Sequence, residues 1–404
     1  ARVIHAVGVG MIMPTTMTMV YAVVPRERIG SAMGIFGLAM MVAPAAGPTL
    51  GGYLVEYINW RWVFTINLPI GVIGTFLALA LLPEFPRNKI GSFDAWGFIT
   101  SALGLFCMLF ALSQGSDWGW TSFRIVMLFY IAFSFLLLFV YHELTTPFPL
   151  LELRVFKYAT FSIGNMMMMM LNVVMFAGIY YITYYLQTVR GLGAFHAGII
   201  MLPPALVSAF MLPISGRMFD RLGPKIPVGG GLLVLGVMTY FLTKMDVMTP
   251  VYHIVIWNML RCVGIGMAMM PMQTAIMSQL PQSLVGRGSA ITNIVSRVSS
   301  SLGLAALTVF VTNQMTNHAA YLTWTASGAN LSSLLADHQL SASTAAALLQ
   351  VKISQMAFVQ ALQELFLIVT ICTIIAAIPV VFLKSGQGGH QEAKTEAAEN
   401  LSET

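Results

Sequence analysis

The sequence predicts an all-α integral membrane protein of about eleven transmembrane helices. Three observations point there. Of 404 residues, 57% are apolar and 9% are charged, against roughly 25% charged in an average soluble domain. Most of the chain must therefore face something other than water. The apolar residues also fall into runs of about 18 to 25, each long enough to cross roughly 30 Å of hydrocarbon at 1.5 Å per residue. These runs recur along the whole chain, which a soluble domain does not do.

Pro, Gly and charge clusters punctuate the runs. Their bounds are about 1–23, 29–54, 62–82, 95–113, 123–141, 160–186, 194–215, 226–243, 251–279, 287–313 and 361–383. The first opens at Ala1-Arg2-Val3, inside an apolar run and without an initiator Met, so the chain is expected to be a fragment. Segment 314–360 is polar and rich in Ala, Ser and Thr, and is expected to be a long external loop. The tail from Lys384 mixes Glu, Ala and Lys and is expected to be disordered. The division that follows is 1–85 for the remainder of an N-terminal bundle and 86–150 for two additional helices. A C-terminal six-helix bundle takes 151–383, and a cytoplasmic tail takes 384–404.

Lys and Arg set the orientation. Arg26, Arg28, Arg87, Lys89, Arg154, Lys157, Arg217, Arg221, Lys225, Arg287, Lys384 and Lys394 lie on one side, and Arg61, Arg124, Arg190, Lys244 and Lys352 on the other. The richer side is expected to be cytoplasmic, and with it the C-terminus. The net charge is only +5, and no basic patch with interleaved aromatics suggests nucleic acid. Cys107, Cys262 and Cys372 are far apart in apolar runs, so neither a metal site nor a disulfide framework is expected. No metal-ligand cluster, nucleophile elbow or phosphate-binding loop suggests an enzyme or a cofactor.

The chain carries an internal repeat. Residues 6–14, AVGVGMIMP, match 262–271, CVGIGMAMMP. A constant offset of 256 carries Gly8, Gly10, Pro25, Gly30 and Gly47 onto Gly264, Gly266, Pro281, Gly286 and Gly303. The shift spans eight runs, so both copies keep one orientation. Parallel repeats about an axis along the membrane normal mark one class of transporter.

Several residues carry chemistry by themselves. Arg2 is a charge within a membrane helix, costly unless it faces a cavity or a partner, though it could also snorkel to the surface. The same two readings stand for Arg261 and Arg297. His5, one turn from Arg2, is either a titrating group or a polar packing residue. Gly47 and Gly51 stand four apart on one helix face, where missing side chains admit a neighbouring helix. Pro44 and Pro48 each remove a backbone hydrogen bond and bend that helix, and Gly52 extends the series. Asp220 and Arg221 lie in a tight turn after Gly216 that Gly223 and Pro224 close. They could bind helix ends and latch one conformation, or form a solvated loop. An ionisable residue inside a membrane run is a functional candidate by default, yet no Asp or Glu sits in the middle of a run. Asp94, Glu143, Glu364, Glu56 and Asp117 all lie near run ends. Met166–Met170 form a run of five within a total of 29 Met, and flexible thioethers suit promiscuous apolar surfaces. Asn165, Asn172, Tyr181 and Tyr184 share that helix and are candidates to line a substrate cavity.

Four stretches resemble the major facilitator superfamily. Arg2-Val-Ile-His-Ala-Val-Gly8-Val-Gly10 is similar to its fourth-helix motif, with His5 and Ala6 where Gln and Gly are usual. Ala43-Pro44-Ala-Ala-Gly47-Pro48-Thr-Leu-Gly51-Gly52 resembles the antiporter motif of its fifth helix. Trp60-Arg61-Trp62-Val-Phe64-Thr-Ile-Asn67-Leu-Pro69-Ile-Gly71 is similar to the sixth helix of the fourteen-helix drug:proton antiporters of EmrB/QacA type. Gly216-Arg217-Met-Phe-Asp220-Arg221-Leu-Gly223-Pro-Lys225 resembles the superfamily's cytoplasmic loop motif. The resemblance implies eleven helices of fourteen, with the first three and the main proton carboxylate missing. It implies a bacterial plasma-membrane exporter of lipophilic or cationic compounds in exchange for protons. Arg2 and His5 would serve coupling, and the Gly47–Gly52 face would close against the other half. An envelope-spanning adaptor is a partner the resemblance admits. A dedicated single-solute transporter and an inactive truncated fragment are the alternatives.

Overall fold

A computed structural model describes residues 2–82, 94–147, 149–326 and 342–383. Among the described residues, eleven helices are long and apolar enough to cross a membrane. In chain order the helices are α1 (Arg2–Val23), α2 (Ile29–Tyr53), a short α3 (Trp62–Thr65), α4 (Asn67–Leu81), α5 (Ala95–Trp118) and α6 (Phe123–Thr145). There follow α7 (Ala159–Thr188), α8 (Ala194–Leu222), α9 (Lys225–Leu242), α10 (Val251–Ser278), α11 (Gln282–Ala326) and α12 (Ala342–Ala377). A π-helical turn, Leu54–Ile58, extends α2. Helices suit this setting because they satisfy every backbone N–H and C=O within the segment, where hydrocarbon offers no partner.

The expected external loop at 314–360 is corrected at both ends. Helix α11 continues to Ala326 and α12 begins at Ala342; residues 327–341 lie outside the described residues, as does the expected tail. Apolar runs mark only the part of a helix that crosses hydrocarbon. The 45 residues of α11 span about 68 Å, more than twice the bilayer core. Its polar extension pairs with α12: Glu364 accepts hydrogen bonds from Gln314 Nε2 and, at 3.0 Å, meets His318 Nε2.

Two apolar clusters organise the packing. The larger joins α7, α8, α9, α10, α11 and α12 through side chains such as Phe161, Tyr185, Leu235, Ile276 and Phe366. The smaller is built from Met17 and Met33 on α1 and α2 with Leu212 on α8 and Met270 on α10. It ties the first two helices to the C-terminal bundle. Helices α5 and α6 form a hairpin in which Leu136 packs on Gly104. Helix α4 has no buried residue; Phe76 and Leu79 are among its fully outward apolar side chains.

Candidate functional site

Helices α2 and α8 meet backbone to backbone along one seam. The helices run antiparallel, so each end of the seam joins the start of one to the finish of the other. Small residues line it throughout. A Cβ on Gly34 would lie 2.7 Å from the Leu212 carbonyl oxygen, and one on Gly52 would lie 2.9 Å from the Ala194 carbonyl. A Cβ on Gly198 would lie 2.6 Å from the Pro48 carbonyl oxygen. Gly216 and Gly30 meet backbone to backbone, where neither could carry a side chain without moving the helices apart. Between these points the Thr49 hydroxyl donates to the Gly198 carbonyl oxygen at 3.0 Å.

Each end of the seam is closed by a carboxylate. A helix leaves its first N–H groups without intrahelical partners, and a side chain just before the helix usually accepts from the second or third of them. Neither α2 nor α8 has such a local side-chain cap; Arg28 and Gly193 occupy the capping positions. The partner helix supplies the acceptor instead. Asp220, in the last turn of α8, accepts from Gly30 N and Ser31 N at 2.8 Å each, and from the Ser31 hydroxyl. At the other end Glu56, in the turn extending α2, accepts from Phe195 N at 3.0 Å. Tyr53 and Tyr57 pack around the Phe195 ring with centroids 5.7 and 5.6 Å away.

The expected latch residues thus divide in role. Asp220 holds the end of α2, and Gly216 makes the approach possible. Gly223 turns the chain into α9 with φ +74°, a left-handed conformation natural to glycine. Arg221 is exposed on α8, beside Arg217 on a face away from α2, and among the described residues it forms no ion pair.

The antiporter-motif face needs a correction. Gly47 and Gly51 face open space, with nothing within 4 Å of a Cβ placed on either. The packed face is formed by Pro48, Thr49 and Gly52. Successive helical residues are rotated by about 100°, so the Gly47–Gly51 stripe points a quarter turn away from the seam. The helix continues through positions 44 and 48; the Pro44 side chain lies outside the described residues.

The proposed cavity residues of α7 also divide. Asn172 Nδ2 donates to Ser296 Oγ at 3.3 Å, and the Tyr181 hydroxyl to Thr308 Oγ1 at 3.3 Å, so both knit α7 to α11. Asn165 is buried and donates to the Phe161 carbonyl at 2.9 Å. Tyr184 points outward, stacked on Tyr180 with its edge toward Phe358. Within the Met run, Met167 and Met168 are core while Met166 is exposed. These side chains do not converge on one open cavity.

Arg261 is the polar centre that sequence reasoning left undecided between snorkelling and function. It is 1% exposed in the middle of the bundle. Its guanidinium lies over Gly178 of α7, donates to the Val174 carbonyl oxygen, and approaches Asn258 Oδ1 at 3.4 Å. Its Nε has no partner, and none of the ion pairs among the described residues includes it. The repeat held a signal for it: the offset of 256 carries His5 onto Arg261 and Arg2 onto Asn258. Arg2 and His5 lie in the first turns of α1, and their side chains lie outside the described residues.

A third polar cluster sits where the α5–α6 hairpin closes. Asp94 caps α5 by accepting from Gly97 N at 2.8 Å and meets His142 Nε2 at 2.9 Å. Burial pushes its carboxyl up, but the Gly97 N–H and the His142 ring outweigh burial and hold it below the usual carboxylate range. Glu143, 2% exposed, accepts from Leu151 N at 3.1 Å. No group of three or more His, Cys, Asp or Glu among the described residues could hold a metal ion.

Comparison with known proteins places this architecture. Residues 1–304 match the Major Facilitator Superfamily. The uncharacterized MFS-type transporter YhcA of Bacillus subtilis is 37% identical over 317 residues, covering 78% of this chain and 60% of that protein. The lincomycin resistance protein LmrB of Listeria monocytogenes is 34% identical, covering 78% of this chain and 67% of its own length. A multidrug resistance protein B homolog of Mycobacterium tuberculosis is 29% identical over 409 residues, covering 97% and 74%. The chain therefore spans about three fifths to two thirds of the length of the first two. With eleven helices among the described residues long and apolar enough to cross a membrane, and a family match over three quarters of its length, the chain belongs to the Major Facilitator Superfamily of membrane transporters.

Proposed function

We infer that the protein is a secondary active exporter of lipophilic or cationic drugs, driven by protons entering a bacterial cell. The observation that carries this reading is the α2–α8 seam, which joins the two parts of the chain through glycine contacts and one carboxylate at each end. A contact made of backbone, a few charge-assisted hydrogen bonds and the small cluster of Met17, Met33, Leu212 and Met270 can open and close without disturbing the larger core of the C-terminal helices. Alternating access about a midplane site requires such a contact between halves. The drug assignment is supported by relatives named for lincomycin and multidrug resistance. The fourteen-helix antiporter type is supported by the eight-helix offset between the repeat copies in α1 and α10. In this reading the two halves flank the α5–α6 hairpin, the Asp220 end of the seam is cytoplasmic, and Arg2 and His5 serve coupling. An envelope-spanning adaptor is the further partner of an exporter of this type.

A dedicated transporter of a solute bearing negative charge is the second reading, favoured by the buried Arg261, which has no acidic partner among the described residues. Drug efflux from proteoliposomes under an imposed pH gradient separates the two. Gradient-dependent efflux of lincomycin or a lipophilic cation supports the first. Transport of an anion alone, unaffected by such drugs, overturns it.

A further inference from the structure

The seam holds a symmetry of chemistry that no motif predicted. Each of its helices begins without a side-chain cap of its own, and each receives one from near the end of the other helix. We propose that Glu56 is a latch for one end of the seam, the counterpart of Asp220 at the other, and that the two latches alternate. Opening the transporter at the Glu56 end breaks the Glu56–Phe195 bond and keeps Asp220 on Gly30 and Ser31. Opening at the Asp220 end does the reverse. In this structure both contacts are made. The proposal rests on the exporter reading for its purpose and adds to it the residue that governs the second end.

The geometry supports this in three ways. Glu56 lies on the first half of the chain, and the Phe195 N–H that donates to it lies on the second, so relative motion of the halves must act on it. The Glu56 carboxylate also fills the space that glycine leaves at position 193, both oxygens 3.1 Å from where a Cβ would stand. The Phe195 ring, held between Tyr53 and Tyr57, fixes the N–H it must reach. Because the donor is a backbone N–H already positioned by the helix, the contact re-forms without a rotamer search at the donor. The bonds are unequal: Asp220 accepts from two N–H groups and a hydroxyl, Glu56 from one N–H. The Glu56 end is therefore the easier one to open.

Pulsed electron-spin distances test the proposal in the protein reconstituted in phosphatidylethanolamine–phosphatidylglycerol vesicles. Cys107, Cys262 and Cys372 are first replaced by Ser. One label pair, at Ile58 and Ile199, reports the Glu56 end; a second, at Arg28 and Leu222, reports the Asp220 end. Glu56→Gln keeps the shape and removes the charge. It should raise the long-distance population of the first pair about fivefold, the scale of one lost charged cap, and leave the second pair unchanged. Asp220→Asn should do the opposite. Widening of both pairs together in Glu56→Gln, or of neither, overturns the proposal. Drug efflux measured on the same vesicles separates it from the exporter reading. End-specific opening without any drug efflux would sink the exporter reading and leave the latches. Normal gradient-driven efflux without end-specific opening would sink the latches alone.

Discussion

Replacing Gly216 by Ala should force the seam open from the Asp220 end. A Cβ there would overlap the Gly30 carbonyl oxygen, lie 2.9 Å from the Gly30 carbonyl carbon and 3.2 Å from the Gly34 Cα. All three are backbone atoms of α2, so no side chain can swing aside. Relief requires the helices to part by about 1 Å. Overpacking of this kind costs about 1–3 kcal/mol, and the shift weakens the Asp220 cap by about 1 kcal/mol. The sum, about 2–4 kcal/mol against the closed seam, is roughly a 30- to 900-fold shift in the open population. The assay is thiol labelling of Met33→Cys in a background without the native cysteines, because Met33 is fully buried beside the seam. Gly51→Ala is the control, since its Cβ meets nothing within 4 Å, and its labelling rate should match the parent. Equal labelling in Gly216→Ala and Gly51→Ala would refute the placement of the seam.

Two further outcomes follow from the buried charges. Arg261→Met should leave thermal stability in detergent unchanged or raised, because this buried cation has no acidic partner among the described residues and costs desolvation that an apolar side chain of similar volume avoids, while transport falls at least tenfold; a large loss of stability with transport intact would reverse that assignment. At the hairpin, a carboxyl depressed in the folded state contributes stability present above its unfolded value and lost as pH falls through the folded value. The stability difference between the parent and Asp94→Asn should therefore not shrink between about pH 7 and 5 and should fade only below about pH 4, followed by thermal unfolding in detergent; shrinkage already at pH 5–6 would contradict the lowered Asp94 value.

The helices were legible because hydrocarbon imposes one length and one composition on whatever crosses it. That rule holds from α1 to α10 and fails past Val311, where α11 leaves the apolar regime and is held by Glu364 on the neighbouring helix instead. The contact of Asp220 with a helix end could be read because its acid stands in a turn closed by Gly223. Glu56 could not, since an acid at the end of an apolar run is the ordinary interfacial case until its partner is seen. The seam itself was half legible: glycines at 47, 51 and 52 all announce close packing, but which side of α2 they serve depends on where α8 lies. Arg261 shows the same limit. Sequence gives a cation in an apolar run, while only tertiary packing over Gly178 decides that it is buried rather than reaching for water.

The seam also sets a mechanical ratio. Helix α2 has 25 residues, a rod of about 37 Å. If the smooth backbone contact at one end serves as the fulcrum, parting the far end by about 10 Å, enough for a drug-sized molecule, requires a tilt of only about 15° over that rod. Breaking the far hydrogen bond takes far less, about 2 Å of travel or 3°. Most of the stroke is therefore made after the carboxylate contact at that end has been released. A lever of that kind converts a small change in the bonding of one carboxylate into a passage wide enough for cargo, and it does so without bending either rod.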